Sequence, residues 1–221
     1  MENVMKYDEL DRYWQRIFEL EWISLCERSK AIAAIIIDAD GNVISEGRNK
    51  IGENHIPNPR VQHAEVEAIR NLDIEKNPYV KTYTLFTSLE PCPMCMGTIA
   101  MGGIRNVVIG THDQLGGAMG LIEHSNFLKS KNIKVTWMPE IYGDIQRGLQ
   151  AIKELLYNED STKLQRMMDD FSVYNKKGVI AAKQMVDNGM FSAKAPSAYS
   201  IEEIFNILVD LIDKAEVVDF L

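Results

Sequence analysis

The sequence predicts an α/β fold followed by a helical C-terminal extension, and three features of the chain predict it. Short apolar runs alternate with stretches of helical periodicity up to about residue 142. Turn-forming clusters rich in Gly, Asn, Asp and Pro separate them. From about Ile145 onward strand-like runs stop, and only helical patterns remain. The expected division is therefore 1–142 for the α/β domain and 143–221 for the extension.

The elements follow in order. Leu10, Tyr13, Trp14, Ile17, Phe18 and Leu20 recur at helical spacing, which predicts an opening helix over 8–28 with those aromatics in the core. Residues 31–37 form an apolar run suited to a strand buried on both faces. Asp40-Gly41 signals a hairpin, with 42–45 returning antiparallel. The stretch 47–62 holds Pro57 and Pro59 and reads as a loop. A helix is expected over 63–72, a strand over 83–87, and a helix over 92–101 opened by Pro91. Strands over 105–110 and 133–137 flank a short helix or loop at 119–128, so the later strands should pair in parallel.

In the extension, helices are expected over 145–157, 163–171 and 179–186, with a linker over 188–198. Ser200 and Glu203 form a capping box ahead of a last helix that reaches about Leu211. Ile152, Leu155, Leu156, Ile204, Ile207, Leu208 and Leu211 give these helices apolar faces that must be buried. Glu202, Glu203, Asp210, Asp213, Glu216 and Asp219 read as a solvated face.

Composition narrows the class. The chain has 221 residues, of which 46% are hydrophobic, enough to bury a core. No apolar stretch of about 18 residues suggests a membrane span. The charged N-terminus lacks a signal segment, and three cysteines fit a reducing compartment, so the expectation is cytoplasmic. Cys26 is expected to pack as a small hydrophobe. The formal net charge of −8 argues against a basic surface that grips nucleic acid.

Two short motifs carry the chemistry. His63-Ala64-Glu65 is followed by Pro91-Cys92-Pro93-Met94-Cys95. One imidazole and two thiolates supply three zinc ligands, and a catalytic zinc keeps its fourth position for water. Zinc lowers the pKa of that water from about 9 toward about 7, and Glu65 stands beside the histidine as an acid/base group. A structural zinc site would need a fourth protein ligand, and a redox C-x-x-C would leave the His-Ala-Glu unexplained. The cofactor expected is Zn2+. His55, His112 and His124 have no ligand role and read as ordinary loop or surface histidines.

The pair H-x-E and P-C-x-x-C resembles the signature of zinc-dependent nucleobase deaminases. Residues 87–99 (T-S-L-E-P-C-P-M-C-M-G-T-I) and 104–110 (I-R-N-V-V-I-G) extend the resemblance to the cytidine deaminase-like superfamily, in the branch of bacterial tRNA adenosine deaminases and guanine deaminases. It covers roughly residues 1–140. The resemblance implies a three-layer α/β/α core with a five-stranded mixed sheet, commonly a homodimer. It implies His63, Cys92 and Cys95 as metal ligands, Glu65 as the catalytic proton shuttle, and Asn49, Ala64 and Asp113 as substrate-binding residues.

Some features depart from that branch. The loop from Asn49 to His63 is longer, Gln62 replaces a small residue, and an acidic tail stands in place of an aromatic-aromatic-Arg ending. The expected function is zinc-dependent deamination of a free nucleobase or nucleoside, a purine ahead of cytosine. The alternatives are adenosine deamination in a tRNA anticodon, with tRNA disfavoured as partner, and a catalytically silent zinc-binding subunit. An intact Glu65 speaks against the silent subunit.

Overall fold

The computed structural model describes residues 5–218. Its centre is a five-stranded sheet of β1 (Ala33–Ile37), β2 (Val43–Arg48), β3 (Thr84–Thr87), β4 (Asn106–Ile109) and β5 (Lys134–Trp137), ordered β2-β1-β3-β4-β5. The two pairings made by β1 are antiparallel, whereas β3–β4 and β4–β5 are parallel. Connection length explains the split. A tight turn at residues 38–42 joins β1 to β2, with the Asp38 carboxylate accepting from the N–H groups of Asp40 and Asn42 at 2.9 and 2.8 Å. Helix α3 (Pro93–Met101) crosses from β3 to β4, and the short helices α4 (Leu121–His124) and α5 (Asn126–Ser130) cross from β4 to β5. Helical crossovers return the chain parallel.

Strand β1 reads A-A-I-I-I because both its faces are covered. Ala33 and Ile35 enter one core with Trp14, Ile17 and Phe18, while Ala34 and Ile36 enter a second core with Ala68, Leu85 and Val107. The period of two thus sends alternate residues into two helical layers. This is the three-layer arrangement expected from the sequence.

The first layer begins with α1 (Arg12–Cys26), which starts later than the periodicity suggested. Asp11 caps it by accepting from the N–H groups of Tyr13 and Trp14, so the preceding residues form a separate short turn over Tyr7–Glu9. Cys26 is half-buried against this core, and burial pushes its thiol up to about 11. The second layer holds α2 (Ala64–Asn71) and α3. Pro93, not Pro91, opens α3, and Cys92 is its extended N-cap (φ −69°, ψ 172°). A residue before proline is pushed out of the α region, so Cys92 cannot be helical here.

The extension supplies α6 (Glu140–Tyr157), α7 (Ser161–Asp187) and α8 (Ile201–Val218). Two helices were expected over this stretch, and α7 is two helical runs joined end to end across a kink at Asn175 (φ −136°, ψ 52°). The Asn175 carboxamide oxygen accepts from the Thr111 hydroxyl at 2.6 Å, tying the bend to the end of β4. Gly178 then touches the Asp144 backbone on α6, where any Cβ would overlap the Asp144 carbonyl. Ser200 and Glu203 do form the capping box, and α8 continues past Leu211. Ile145, Leu149, Ile152, Ile204, Phe205 and Leu208 are buried in the α1 core, so the extension packs on the α/β domain. Ile207 departs from expectation and is 36% exposed, at the edge of the apolar stripe. Glu202, Glu203, Asp210 and Asp213 are exposed. Asp219 lies outside the described residues, and so does the side chain of Glu216. No helix among the described residues is long and apolar enough to cross a membrane.

Candidate functional site

Two helix N-termini converge on one point. His63 is the N-cap of α2 and Cys92 the N-cap of α3, while Cys95 lies in the first turn of α3. Gly47 allows the approach of α2 to β2, since a Cβ there would overlap the Ala64 carbonyl and the Ala68 nitrogen. The Ser45 hydroxyl donates to the Ala68 carbonyl at 2.6 Å and fixes the same contact.

The donor atoms are spaced as one metal ion requires. His63 Nδ1 is 3.6 Å from Cys92 Sγ and 3.5 Å from Cys95 Sγ, and the two sulfurs are 3.5 Å apart. Zinc–sulfur bonds of about 2.3 Å and zinc–nitrogen bonds of about 2.0–2.1 Å in a tetrahedron place donors about 3.5–3.8 Å apart. The residues present therefore fit zinc. Among the described residues the cluster has these three ligands and no fourth. Three protein ligands are the mark of a catalytic rather than a structural site.

Electrostatics agrees with that spacing. The Cys92 thiol is brought down to about 4, chiefly by the hydrogen bond from Cys95 and then by His63. Cys95 is driven up by its hydrogen bond with Cys92 and by burial, and the Cys92 sulfur raises His63. Without a cation, one thiol of the pair holds the proton that the other gives up. A divalent ion takes both as thiolates, and two positive helix ends favour that charge.

Glu65 is buried beside the cluster, its Oε2 3.3 Å from Cys95 Sγ. Burial is the main cause that raises its carboxyl above the ordinary range, opposed by its own backbone N–H and the Cys95 hydrogen bond. A cavity of about 190 Å³ opens on His63, Glu65 and Cys92. Asn49 borders it, fully buried, with its oxygen accepting from the Ile51 N–H at 3.0 Å and its amide nitrogen without a partner among the described residues. Asp113 borders it too, paired with Arg147 at 3.2 Å. Ala64 is fully buried as the first residue of α2, where a backbone N–H has no acceptor within the helix. His112 stacks on Trp137 with ring centroids 3.7 Å apart, outside the cavity lining, and neither His55 nor His124 borders the cavity.

The sequence reading missed one whole wall. Arg147 and Gln150 from α6, with Met167, Asp170 and Phe171 from α7, line the same cavity as His63, Glu65 and Cys92. Asp144, Arg147, Gln150 and Glu154 make a polar stripe along α6 that the structure buries. Polar residues every three or four positions on a helix usually face water, so the pattern gave no warning. Lys30 and Glu90 also line the cavity and carried no signal.

Residues 8–111 match the model of the cytidine and deoxycytidylate deaminase zinc-binding region. A tRNA-specific adenosine deaminase of Streptococcus pyogenes is 35% identical over 115 residues, which cover 49% of this chain and 70% of that protein. The chain belongs to this deaminase family. The matched region contains His63, Cys92 and Cys95, whose donor atoms lie within 4.8 Å of one another. A cytosine deaminase of Candida albicans is 32% identical over 102 residues, covering 46% of this chain and 66% of that protein. A tRNA(Ile)-lysidine synthase of Deinococcus radiodurans is 31% identical over 121 residues, which are 54% of this chain but only 19% of that protein. The chain thus spans about a fifth of that last relative and about two thirds of the first two. The family match ends before α6, so the extension wall has no counterpart in the matched region.

Proposed function

We propose that the chain is a zinc-dependent deaminase that hydrolyses the exocyclic amine of a free nucleobase or nucleoside, a purine ahead of a pyrimidine. The reading takes residues 1–142 as the deaminase domain and 143–221 as an extension that completes its pocket. His63, Cys92 and Cys95 hold the metal, which when bound supplies Lewis acidity and an open position where water is activated for attack. Glu65 Oε2 takes one proton from the attacking water and gives it to the ring nitrogen beside the reacting carbon; it then takes the second, from the hydroxyl added to that carbon, and gives it to the departing amine, which leaves as ammonia. Burial of Glu65 suits this work, since a raised pKa lets the carboxyl hold a proton between transfers. Asn49 offers its unpartnered amide N–H to the ring. Asp113 shapes the pocket through Arg147, and the Ala64 N–H approaches the substrate from the start of α2.

The observation that carries the substrate class is the charge and closure of the cavity. Glu65, Glu90, Asp113 and Asp170 line it against only Lys30 and Arg147, so an RNA phosphate would meet a net negative wall. Its volume of about 190 Å³ lies below the roughly 300–1,000 Å³ of drug-sized sites and suits a single small heterocycle. Reducing conditions and assembly as a homodimer complete the reading, the latter checked by analytical ultracentrifugation.

The test is ammonia release from adenine, guanine, cytosine, their nucleosides and nucleotides, and an unmodified tRNA anticodon stem-loop. The expected result is ammonia from at least one free base or nucleoside, with the nucleotides poorer. Inosine formed in the stem-loop, with no ammonia from any free base or nucleoside, would overturn the reading.

A further inference from the structure

We infer that Gln150, supplied by the helical extension, is a specificity-determining residue that holds a hydrogen-bond acceptor on the substrate ring. The inference rests on the deaminase reading proposed above and adds a recognition residue outside the segment that matches the family.

The argument begins with Arg147. Its guanidinium lies over the Phe171 ring at 4.6 Å from the centroid, and one terminal nitrogen donates to the His112 carbonyl at 3.1 Å. The same nitrogen is 3.2 Å from an Asp113 carboxylate oxygen. These contacts leave the buried guanidinium a single orientation. Its other terminal nitrogen donates to Gln150 Oε1 at 2.5 Å. A guanidinium has donors and no acceptor, so only the oxygen of the carboxamide can face it. The orientation of the Gln150 amide is thereby decided.

What remains of Gln150 is its Nε2, which carries two N–H donors. It has no hydrogen-bond partner among the described residues, yet it is not one of the fully enclosed orphan atoms. Gln150 is 3% exposed and is one of the residues lining the zinc-site cavity. Two carboxamides thus line the cavity with their oxygens engaged. Asn49 has its oxygen pinned by the Ile51 N–H and its nitrogen enclosed, and Gln150 has its oxygen pinned by Arg147; among the described residues neither nitrogen has a hydrogen-bond partner. Two fixed donors in one small cavity fit an uncharged heteroaromatic ring with acceptors, a carbonyl or an unprotonated ring nitrogen, on two of its edges. A buried donor that pairs only with the right ring also rejects the wrong one, because a ring without the acceptor leaves that donor unsatisfied.

Gln150→Glu and Gln150→Leu separate recognition from support. Glutamate keeps the contact with Arg147 and strengthens its charge, so a purely structural role predicts an unchanged or better protein. Recognition predicts the opposite, because a carboxylate puts an acceptor where the substrate needs a donor. The assay is ammonia release by the zinc-loaded full chain from adenine, guanine, cytosine and their nucleosides, with hypoxanthine, xanthine and uracil titrated calorimetrically as product probes. For the best substrate of the unaltered protein, KM should rise about tenfold to a hundredfold in both variants, with the loss concentrated in KM. Affinity for the matching product should weaken in parallel, while zinc per chain stays the same and the Tm of Gln150→Glu does not fall. An active protein whose KM and product affinity move less than twofold in both variants would overturn this inference and leave the deaminase reading standing. Ammonia from none of the six by the unaltered protein overturns that reading, and this inference with it.

Discussion

The two walls of the cavity were built by different kinds of sequence. One wall is the start of α2 and α3, where His63, Glu65, Cys92 and Cys95 stand within two short motifs and meet because each lies in or next to a helix's first turn. The other is α6 and α7, where Arg147, Gln150, Asp170 and Phe171 come from positions with no motif at all. Chemistry demands a fixed set of donor atoms at fixed spacing, so it leaves a mark in the sequence. Selection of a substrate needs only a shaped surface, which many helices can supply. The first wall is what the chain shares with its family; the second belongs to the part beyond the match.

The largest perturbation removes the second wall altogether. Ending the chain after Glu140 strips α6, α7 and α8 from Trp14, Ile17, Phe18 and Leu25, all buried in the core they share. Exposed apolar surface on that scale should cause aggregation, seen by size-exclusion chromatography. A soluble, folded and fully active fragment would show that the extension is a separate appendage.

Damage to the first wall should be chemical. Cys95→Ser replaces a good zinc ligand with a poor one, so metal and activity should be lost together, and the Tm should fall. Zinc measured by atomic absorption at one per chain in an active Cys95→Ser protein would contradict the ligand assignment.

The smallest effect tests the joint between α6 and α7. Asp144 is buried, and burial lifts its carboxyl to about 6, although the Gly178 N–H opposes the rise. An acid whose folded pKa is raised binds its proton more tightly folded than unfolded. Its stabilising contribution is thus full below about pH 4, is lost as the pH rises to about 6, and leaves a penalty at neutral pH. Asp144→Asn retains an oxygen for the Gly178 N–H and should flatten stability over that window. The gain at pH 7 should be about 1–3 kcal/mol, read from urea unfolding at pH 4 and pH 7. An equal loss at both pH values would mean that the charged form is the one the fold uses.

Much of the architecture was legible beforehand. The apolar run at residues 31–37, the Asp40-Gly41 turn and the Ser200–Glu203 capping box each follow from local chemistry, and each is present. The errors lie where tertiary contacts decide. Cys92 was placed inside a helix, but the proline after it forces an extended cap. By contrast, the two helices read in residues 163–186 are present, joined across a kink at Asn175. The buried polar stripe of α6 left no mark in the sequence, because nothing local says that Asp113 and the His112 carbonyl will be there to receive Arg147.

The contrast between a wall that reacts and a wall that selects comes down to one side-by-side measurement. Steady-state kinetics of zinc-loaded Glu65→Ala and Gln150→Leu on the best free base or nucleoside should split cleanly. Glu65→Ala should keep its zinc and lose at least about a hundredfold in kcat, the scale of a missing general acid/base, while Gln150→Leu should lose chiefly in KM. Near-normal kcat in Glu65→Ala, or a loss in kcat alone for Gln150→Leu, would contradict this division of labour.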